Sequence, residues 1–457
     1  LPAAVGTVRV AVIGTGPAAC YTAETLLQIG AEVTMIDRQP VPGGLIRFGV
    51  APDHPSTKRI GDSFAGLFAH PRLRMHLNVE VGKDVTHAEL AAHHHAVVYA
   101  VGAAADKALG IPGEGLDGSM SATAFVAWYS AHPDVWPTEV DLSAERAVII
   151  GNGNVAVDVA RILLSDPDDL ARTDIADHAL KTLRSSNVRE VVLLGRRGPE
   201  HAAFTRPEFL ALQHLPGVHV VVDDHPEVRA TIANAEPDSK AAVFADVDFE
   251  RVDWDAARPE GKRIVFRFLS SPTELLGEHH VESLALSRNA HRGHDDQTGA
   301  EATGRRDVLP ARLVLRSTGY RGRPIPDLPF DTANATVPNE SGRVIDPEQH
   351  ASVPGTYVVG WIKRGPSGGI GTNRTCAAET VDVLLDDAEA RQLLRPVGTA
   401  KQFAALVRRR QPQSLGRREA LAIDEAERAR GANAGRPRVK FATVGDLVAA
   451  GKGDRRC

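Results

Sequence analysis

The stretch AVIIGNGNVAVDVARIL, residues 147–163, sets a short apolar run against a G-x-G pair and then a segment with helical spacing. A strand buried on both faces of a parallel sheet reads as a near-continuous apolar run. Gly151 at the turn lets the chain reverse tightly, and Gly153 lets the backbone approach a pyrophosphate. The small Ala156 completes G-x-G-x-x-A and lets the helix pack close to the strand. The helix would then aim its N-terminal amides and positive dipole end at the phosphates. An earlier stretch, VAVIGTGPAACYTAETLL at 10–27, repeats the outline with Gly14, Gly16 and Ala19. Two such turns in one chain predict an α/β protein with two Rossmann-like dinucleotide-binding domains.

The strand after each turn separates the two sites. After the first, AEVTMID ends at Asp37, near the roughly 20-residue spacing at which an acid accepts from a ribose hydroxyl. After the second, VREVVLLGRRGP ends in Arg196 and Arg197, where two guanidiniums would grip the 2′-phosphate of NADP. FAD at the first turn and NADP(H) at the second is the layout of a flavoprotein with two dinucleotide domains. The strand-to-glycine ends AVVYAVG (96–102) and RLVLRSTG (312–319) mark where the chain would leave the FAD domain and return to it. The NADP domain is therefore expected at 107–319, inserted into a discontinuous FAD domain of 1–106 and 320–457.

Composition limits the other possibilities. A 457-residue chain accommodates two or three domains, and 43% hydrophobic with 24% charged residues is ordinary for a globular enzyme. A net charge of −5 argues against a nucleic-acid partner, which a basic excess would accompany. No apolar run approaches the ~20 residues of a membrane span. No signal-peptide pattern opens the chain, so the expected compartment is the cytoplasm. Cys20, Cys376 and Cys457 form no C-x-x-C pair or metal spacing. The consecutive His93, His94 and His95 cannot all face one ion on a regular element, so no metal is expected. Cys20, Trp128, Tyr129 and Trp136 read as packing residues. Residues 165–187 read as a helical hairpin, 285–307 as exposed hairpin loops, and the tail from about 400 as a surface helix returning to the FAD domain.

Four longer strings add a resemblance. VPGGLIRFGVAPDHP (41–55), GNGNVAVDVARILL (151–164), GRRGP (195–199) and VVGWIKRGPSGGIGTN (358–373), in this order over nearly the whole chain, resemble the adrenodoxin reductase-like ferredoxin–NADP reductases of the bacterial type. The resemblance implies an FAD enzyme that takes hydride from NADPH and passes single electrons to a ferredoxin-type iron–sulfur protein. It also implies that Gly14, Gly16, Pro17, Ala18, Asp37, Gly44 and Leu45 contact FAD, with Val81 near the adenine and Trp361, Gly368, Gly369 and Ile370 at the flavin ring. Asn152, Gly153, Asn154 and Val155 would form the NADP pyrophosphate loop, Arg196 and Arg197 the 2′-phosphate clamp, and Glu208 a further NADP contact. Gly368 would touch the nicotinamide side as well.

Two departures stand out. Lys107 occupies a position where an arginine is expected to reach NADP, which keeps the charge but not the fork. Residues 223–250, where the family offers basic residues to an acidic ferredoxin, are not basic here. His54 in APDHP is the candidate catalytic partner of Glu208, orienting the nicotinamide or buffering a proton. Alternatives with the same two folds are an NADPH-dependent electron-input flavoprotein related to the glutamate synthase small subunit, and a non-catalytic nucleotide-binding redox sensor. The former class brings cysteine clusters, and none is present. The Leu1 start and linker-like LPAAVGTV suggest the reductase portion of a longer protein with an N-terminal ferredoxin domain.

Overall fold

The computed structural model describes residues 8–256, 259–290 and 301–453. Its two large sheets each hold one fingerprint near the middle. The first runs, edge to edge, Asn339–Glu340, Arg343–Asp346, Ala351–Val358, Ala96–Tyr99, Arg9–Ile13, Glu32–Asp37 and Leu73–Leu77. The second runs Asp248–Glu250, Val218–Asp223, Lys262–Arg267, Glu190–Leu194, Arg146–Ile150, Leu313–Arg316 and Ser119–Ser121. The strands that carry the fingerprints pair in parallel on both sides, as their apolar runs require. Each sheet is covered on both faces by separate apolar clusters.

The two fingerprints turn by the same device. Gly14 has φ +115°, and a Cβ there would lie 2.5 Å from the Ala100 carbonyl oxygen. Gly151 has φ +124°, and a Cβ there would lie 2.2 Å from the Ser317 oxygen. Both crowding carbonyls belong to the strand-to-glycine ends singled out in the sequence. Just beyond those ends, Ala105–Asp106 and Tyr320–Arg321 pair antiparallel where the chain crosses between sheets.

The helical hairpin appears as Pro167–Leu170 and Asp177–Arg184. Residues 285–307 differ from the expected loops. Ser270–Leu276, Ser283–Ala290 and Glu301–Pro310 form a third, antiparallel sheet, and Leu284, Ala285 and Leu286 are buried in it. The middle of that stretch, 291–300, lies outside the described residues, as do 1–7 and Cys457. Trp128 and Tyr129 are core, but Trp136 is 47% exposed. Cys20 is buried as expected. The tail is three helices, Ala400–Arg410, Arg417–Asn433 and Val444–Lys452. They pack on the first sheet through Phe403, Ile423 and Leu447. The segment joining the last two also reaches the second sheet's domain: Arg436 Nε donates to the Thr173 carbonyl at 2.9 Å. Among the described residues, no helix is long and apolar enough to cross a membrane.

Candidate functional site

The first turn ends at Gly16, which caps the helix Pro17–Gln28 with no side-chain hydrogen bond, so no side chain occupies the amides of its opening turn. The Gly43–Leu45 turn presses against it, since a Cβ on Gly44 would lie 2.8 Å from Gly16 Cα. Asp37 ends the next strand, where Thr15 Oγ1 donates to its Oδ2 at 2.6 Å and the Gln39 amide donates to its Oδ1 at 2.8 Å. Burial pushes the Asp37 carboxyl above its usual value, and these donors pull it back. Val81 sits half-buried beyond the same ridge, two residues after Val79, whose amide donates to the Asp37 carbonyl at 2.9 Å.

Just after the strand Ala351–Val358, Trp361 packs against Tyr320 with ring centroids 5.1 Å apart and planes tilted 43°, and its buried Nε1 has no partner among the described residues. Gly368, Gly369 and Ile370 lead into the long helix Thr372–Glu389, which begins at Gly371 with no side-chain cap. A Cβ on Gly369 or Gly371 would meet nothing within 4 Å, so this turn leaves open space beside the chain.

The second turn is tied to the segment before the Arg206–Gln213 helix. Asn152 Oδ1 accepts from the Ala203 amide at 3.4 Å, and Asn154 Oδ1 accepts from Thr205 at 2.7 Å. Both asparagine amide groups are thereby turned with their acceptors occupied, and among the described residues their NH2 groups donate to no acceptor. Gly153 caps Asn154–Leu164 without a side-chain hydrogen bond, and Val155 lies in its first turn. Arg196 and Arg197 follow the strand Glu190–Leu194 with both side chains exposed. Their carbonyls are fixed by Asn289 Nδ2 at 2.9 Å and the Leu269 amide at 3.2 Å, while neither guanidinium has a partner among the described residues. Lys107 is exposed at the crossing, and the Thr318 hydroxyl donates to its carbonyl at 3.1 Å.

Between the two folds, His54 and Glu208 meet. His54 Nε2 lies 3.6 Å from Glu208 Oε2 and 3.8 Å from Asp158 Oδ1. In their midst is Arg161, 3% exposed, which donates through Nη2 to His54 Nε2 at 2.7 Å and to Asp158 Oδ1 at 2.8 Å. It also grips Asp53 by two bonds, Nε to Oδ2 at 2.5 Å and Nη2 to Oδ1 at 2.9 Å. Burial lifts the Asp158 carboxyl to about 6 against the pull of Arg161, and Glu208 adds to the rise. Burial and the Asp158 charge together push the Tyr320 hydroxyl up to about 12.

Known proteins resemble this chain over nearly its whole length. The chain is 49% identical over 449 residues to a probable ferredoxin/ferredoxin–NADP reductase of Mycobacterium tuberculosis, covering 96% of this chain and 75% of the relative. It is 45% identical over 459 residues to the NADPH-ferredoxin reductase FprA of the same organism, covering 97% and 99%. The mitochondrial NADPH:adrenodoxin oxidoreductase of Arabidopsis thaliana is 38% identical over 97% of this chain and 95% of its own. This chain belongs to the ferredoxin–NADP reductase family. Residues 8–166 match the pyridine nucleotide-disulphide oxidoreductase family model. The solved structure of FprA in complex with NADPH superposes with TM-score 0.89 at 44% identity, over 98% of this chain and 100% of that one.

As a ferredoxin–NADP reductase, the chain is an FAD-dependent oxidoreductase that uses NADPH, and the electron-input and sensor alternatives give way to that identity. Its own residues fit both dinucleotides. Both turns present uncapped helix starts, and the cleft holds a buried donor and acceptor, Arg161 Nη1 and Glu208 Oε2, 3.7 Å apart and neither hydrogen-bonded among the described residues. A carboxamide, which carries one donor group and one acceptor, has the complementary chemistry. The reading of the sequence passed over Asp53, Asp158 and Arg161. The signal was the D-V-A-R spacing within AVDVARILL, where Asp158 and Arg161 fall on one face of an otherwise apolar helix.

Proposed function

We propose that the cleft between the two folds transfers hydride from NADPH to FAD, and that electrons leave one at a time for a ferredoxin-type iron–sulfur protein. When bound, the flavin supplies the conversion of one two-electron hydride into two single-electron transfers. The observation that carries the proposal is convergence: two uncapped dinucleotide turns open on one cleft in which His54 and Glu208 face each other 3.6 Å apart. Gly14, Gly16, Pro17, Ala18 and Asp37 would hold the FAD pyrophosphate and ribose, with Val81 near the adenine. Gly44, Leu45, Trp361, Gly368, Gly369 and Ile370 would hold the ring. Asn152, Gly153, Asn154, Val155 and Lys107 would hold the NADP pyrophosphate, and Arg196 and Arg197 the 2′-phosphate. Glu208 and His54 would orient the nicotinamide, with the domain boundaries drawn at 1–106, 107–319 and 320–457.

Anaerobic mixing of the yellow protein with NADPH should bleach the flavin, and adding a ferredoxin should restore the colour as the partner is reduced. A flavin that stays oxidised under NADPH defeats the proposal. His54→Gln should slow the bleaching about tenfold or more, within the usual range for a positioned acid–base group. An unchanged rate in that variant removes His54 from the mechanism. The finer form of the partner proposal is a ferredoxin domain fused N-terminal to this chain. It draws support from the relative named for both functions, of which this chain covers 75%. A start codon within a few residues of Leu1 in the parent reading frame would remove it. The proposed compartment is the cytoplasm, in keeping with the free thiols of Cys20 and Cys376; recovery of the activity outside the cytoplasmic fraction would overturn this.

A further inference from the structure

We propose that Arg161 is the positioning residue of hydride transfer, a guanidinium that clamps the two folds together at the cleft and fixes which nitrogen of His54 carries the proton. This deepens the proposed function and rests on the cleft being the hydride-transfer site. Arg161 lies on Asn154–Leu164, the helix that opens at the second turn, whereas Asp53 and His54 lie in the loop that follows Gly44 and Leu45 of the first. The bidentate pair with Asp53 therefore joins the helix of one dinucleotide site to the loop of the other. A planar fork matched to a carboxylate fixes orientation as well as distance, so the pair sets the angle at which the two sites face each other. Reacting groups need alignment within about an ångström, and a misplacement of that size costs on the order of 100-fold.

The same guanidinium determines the state of His54. Arginine only donates hydrogen bonds, so where one of the two Nη2 hydrogens goes to His54 Nε2 at 2.7 Å that nitrogen is the acceptor and Nδ1 carries the ring proton. The charged and titratable groups around Arg161 are Asp53, His54, Asp158 and Glu208, with Tyr129 and Tyr320 near Asp158. Among these groups Arg161 is the one permanent cation. Without it Asp158 would lose its nearest counter-charge, and His54 Nε2 would lose the donor that orients the ring.

The test uses the FAD-loaded protein and rapid mixing with NADPH across pH 5.5–8.5, for the wild type, Arg161→Gln, Arg161→Lys, Asp53→Asn and the Arg161→Gln/Asp53→Asn double variant. Arg161→Gln and Asp53→Asn should each slow flavin reduction 10- to 100-fold, with the NADPH dissociation constant changed less than threefold. The double variant should be no slower than the slower single, because both break one pair. Arg161→Lys should recover less than a tenth of the lost rate, since charge returns without the fork. In Arg161→Gln the Asp158 carboxyl, lifted to about 6 by burial, loses its nearest cation, so the pH profile of the rate should shift upward by about one unit. Wild-type rates with an unmoved pH profile in Arg161→Gln overturn the proposal, as do multiplicative losses in the double variant. If Arg161→Gln does not retain FAD, a wild-type rate in Asp53→Asn overturns it alone. A wild-type protein that NADPH does not bleach instead condemns the reading of the cleft itself.

Discussion

At the scale of single residues, the choice of nucleotide depends on what is left unpaired. Arg196 and Arg197 sit on a backbone held by Asn289 and Leu269, yet their guanidiniums face solvent with no carboxylate partner among the described residues. Elsewhere on the second domain buried arginines are neutralised, as Arg263 is by Glu190 at 2.5 Å. Two unneutralised forks at the end of the strand that should reach the adenosine ribose suit a dianion. Replacing both by Ala should cost about 3 kcal/mol of NADPH recognition, since hydrogen bonds to charged groups contribute roughly 1.5–3 kcal/mol each. That is about two orders of magnitude in kcat/KM. The loss should appear mainly in KM, and kcat/KM for NADH should stay within about twofold. Steady-state kinetics with both nucleotides checks this, and equal losses for the two would contradict the clamp.

At the scale of elements, the parts readable in the sequence are those where backbone sterics and apolar periodicity act alone. Gly14 and Gly151 stand where a Cβ would strike a carbonyl, and the strands beside them are unbroken apolar runs, so strand, turn and helix were all visible. The third sheet was not visible, because Ser283–Ala290 buries Arg288 and Asn289 beside its leucines, and polar side chains inside a strand break the alternation that marks one. Arg161 and Asp158 were missed for a related reason. Charges on a helix read as a solvated face until a second domain covers them. The histidine run, by contrast, becomes intelligible only through packing: His93, His94 and His76 surround Phe403 of the tail helix at 5.4, 4.9 and 5.7 Å. Burial holds both His76 and His94 down at about 4, and neither buried Nε2 has a hydrogen-bond partner among the described residues. The unfolded imidazoles bind protons from about pH 6.5 downward and the folded ones only near 4. Stability should therefore fall as pH drops through that window, by about 2 kcal/mol per ring at pH 5 as an upper bound. His94→Leu should shrink the drop in Tm between pH 7 and pH 5. Parallel drops in variant and wild type would show that this ring does not drive the acid limb.

For the whole molecule, function depends on two domains kept at one angle, and the connections between them are polar. Within the cleft there is the Arg161–Asp53 pair. Behind it runs the segment between the last two helices of the tail. On the helix just before it, Glu427, fully buried, accepts from Arg47 at 2.6 and 2.9 Å and from Arg438 at 3.1 Å. Lys440 bridges outward, donating to the Arg47 carbonyl at 3.0 Å and the Ser130 carbonyl at 3.3 Å while pairing with Asp174 at 3.0 Å. Arg436 completes the strap on the second domain, with the carbonyls of Thr173 and Ile175 and the carboxylate of Asp177. Interfaces between domains of one chain usually permit relative motion unless they are large and apolar, so a charged strap of this kind is a plain means of restraining it. Arg436→Ala would strand two backbone carbonyls, at about 1–1.5 kcal/mol each, while the exposed Asp177 contact adds little. The expected outcome is a Tm lower by roughly 2–3 °C. Calorimetry should also show the single unfolding transition broadening or splitting, because the second domain no longer melts with the first. The FAD site lies on the other side of the strap from the lost contacts, so the flavin spectrum should be unchanged. A Tm lowered with the transition still sharp would mean that the cleft pair alone couples the domains, and an unchanged Tm would mean that the strap carries no load between them.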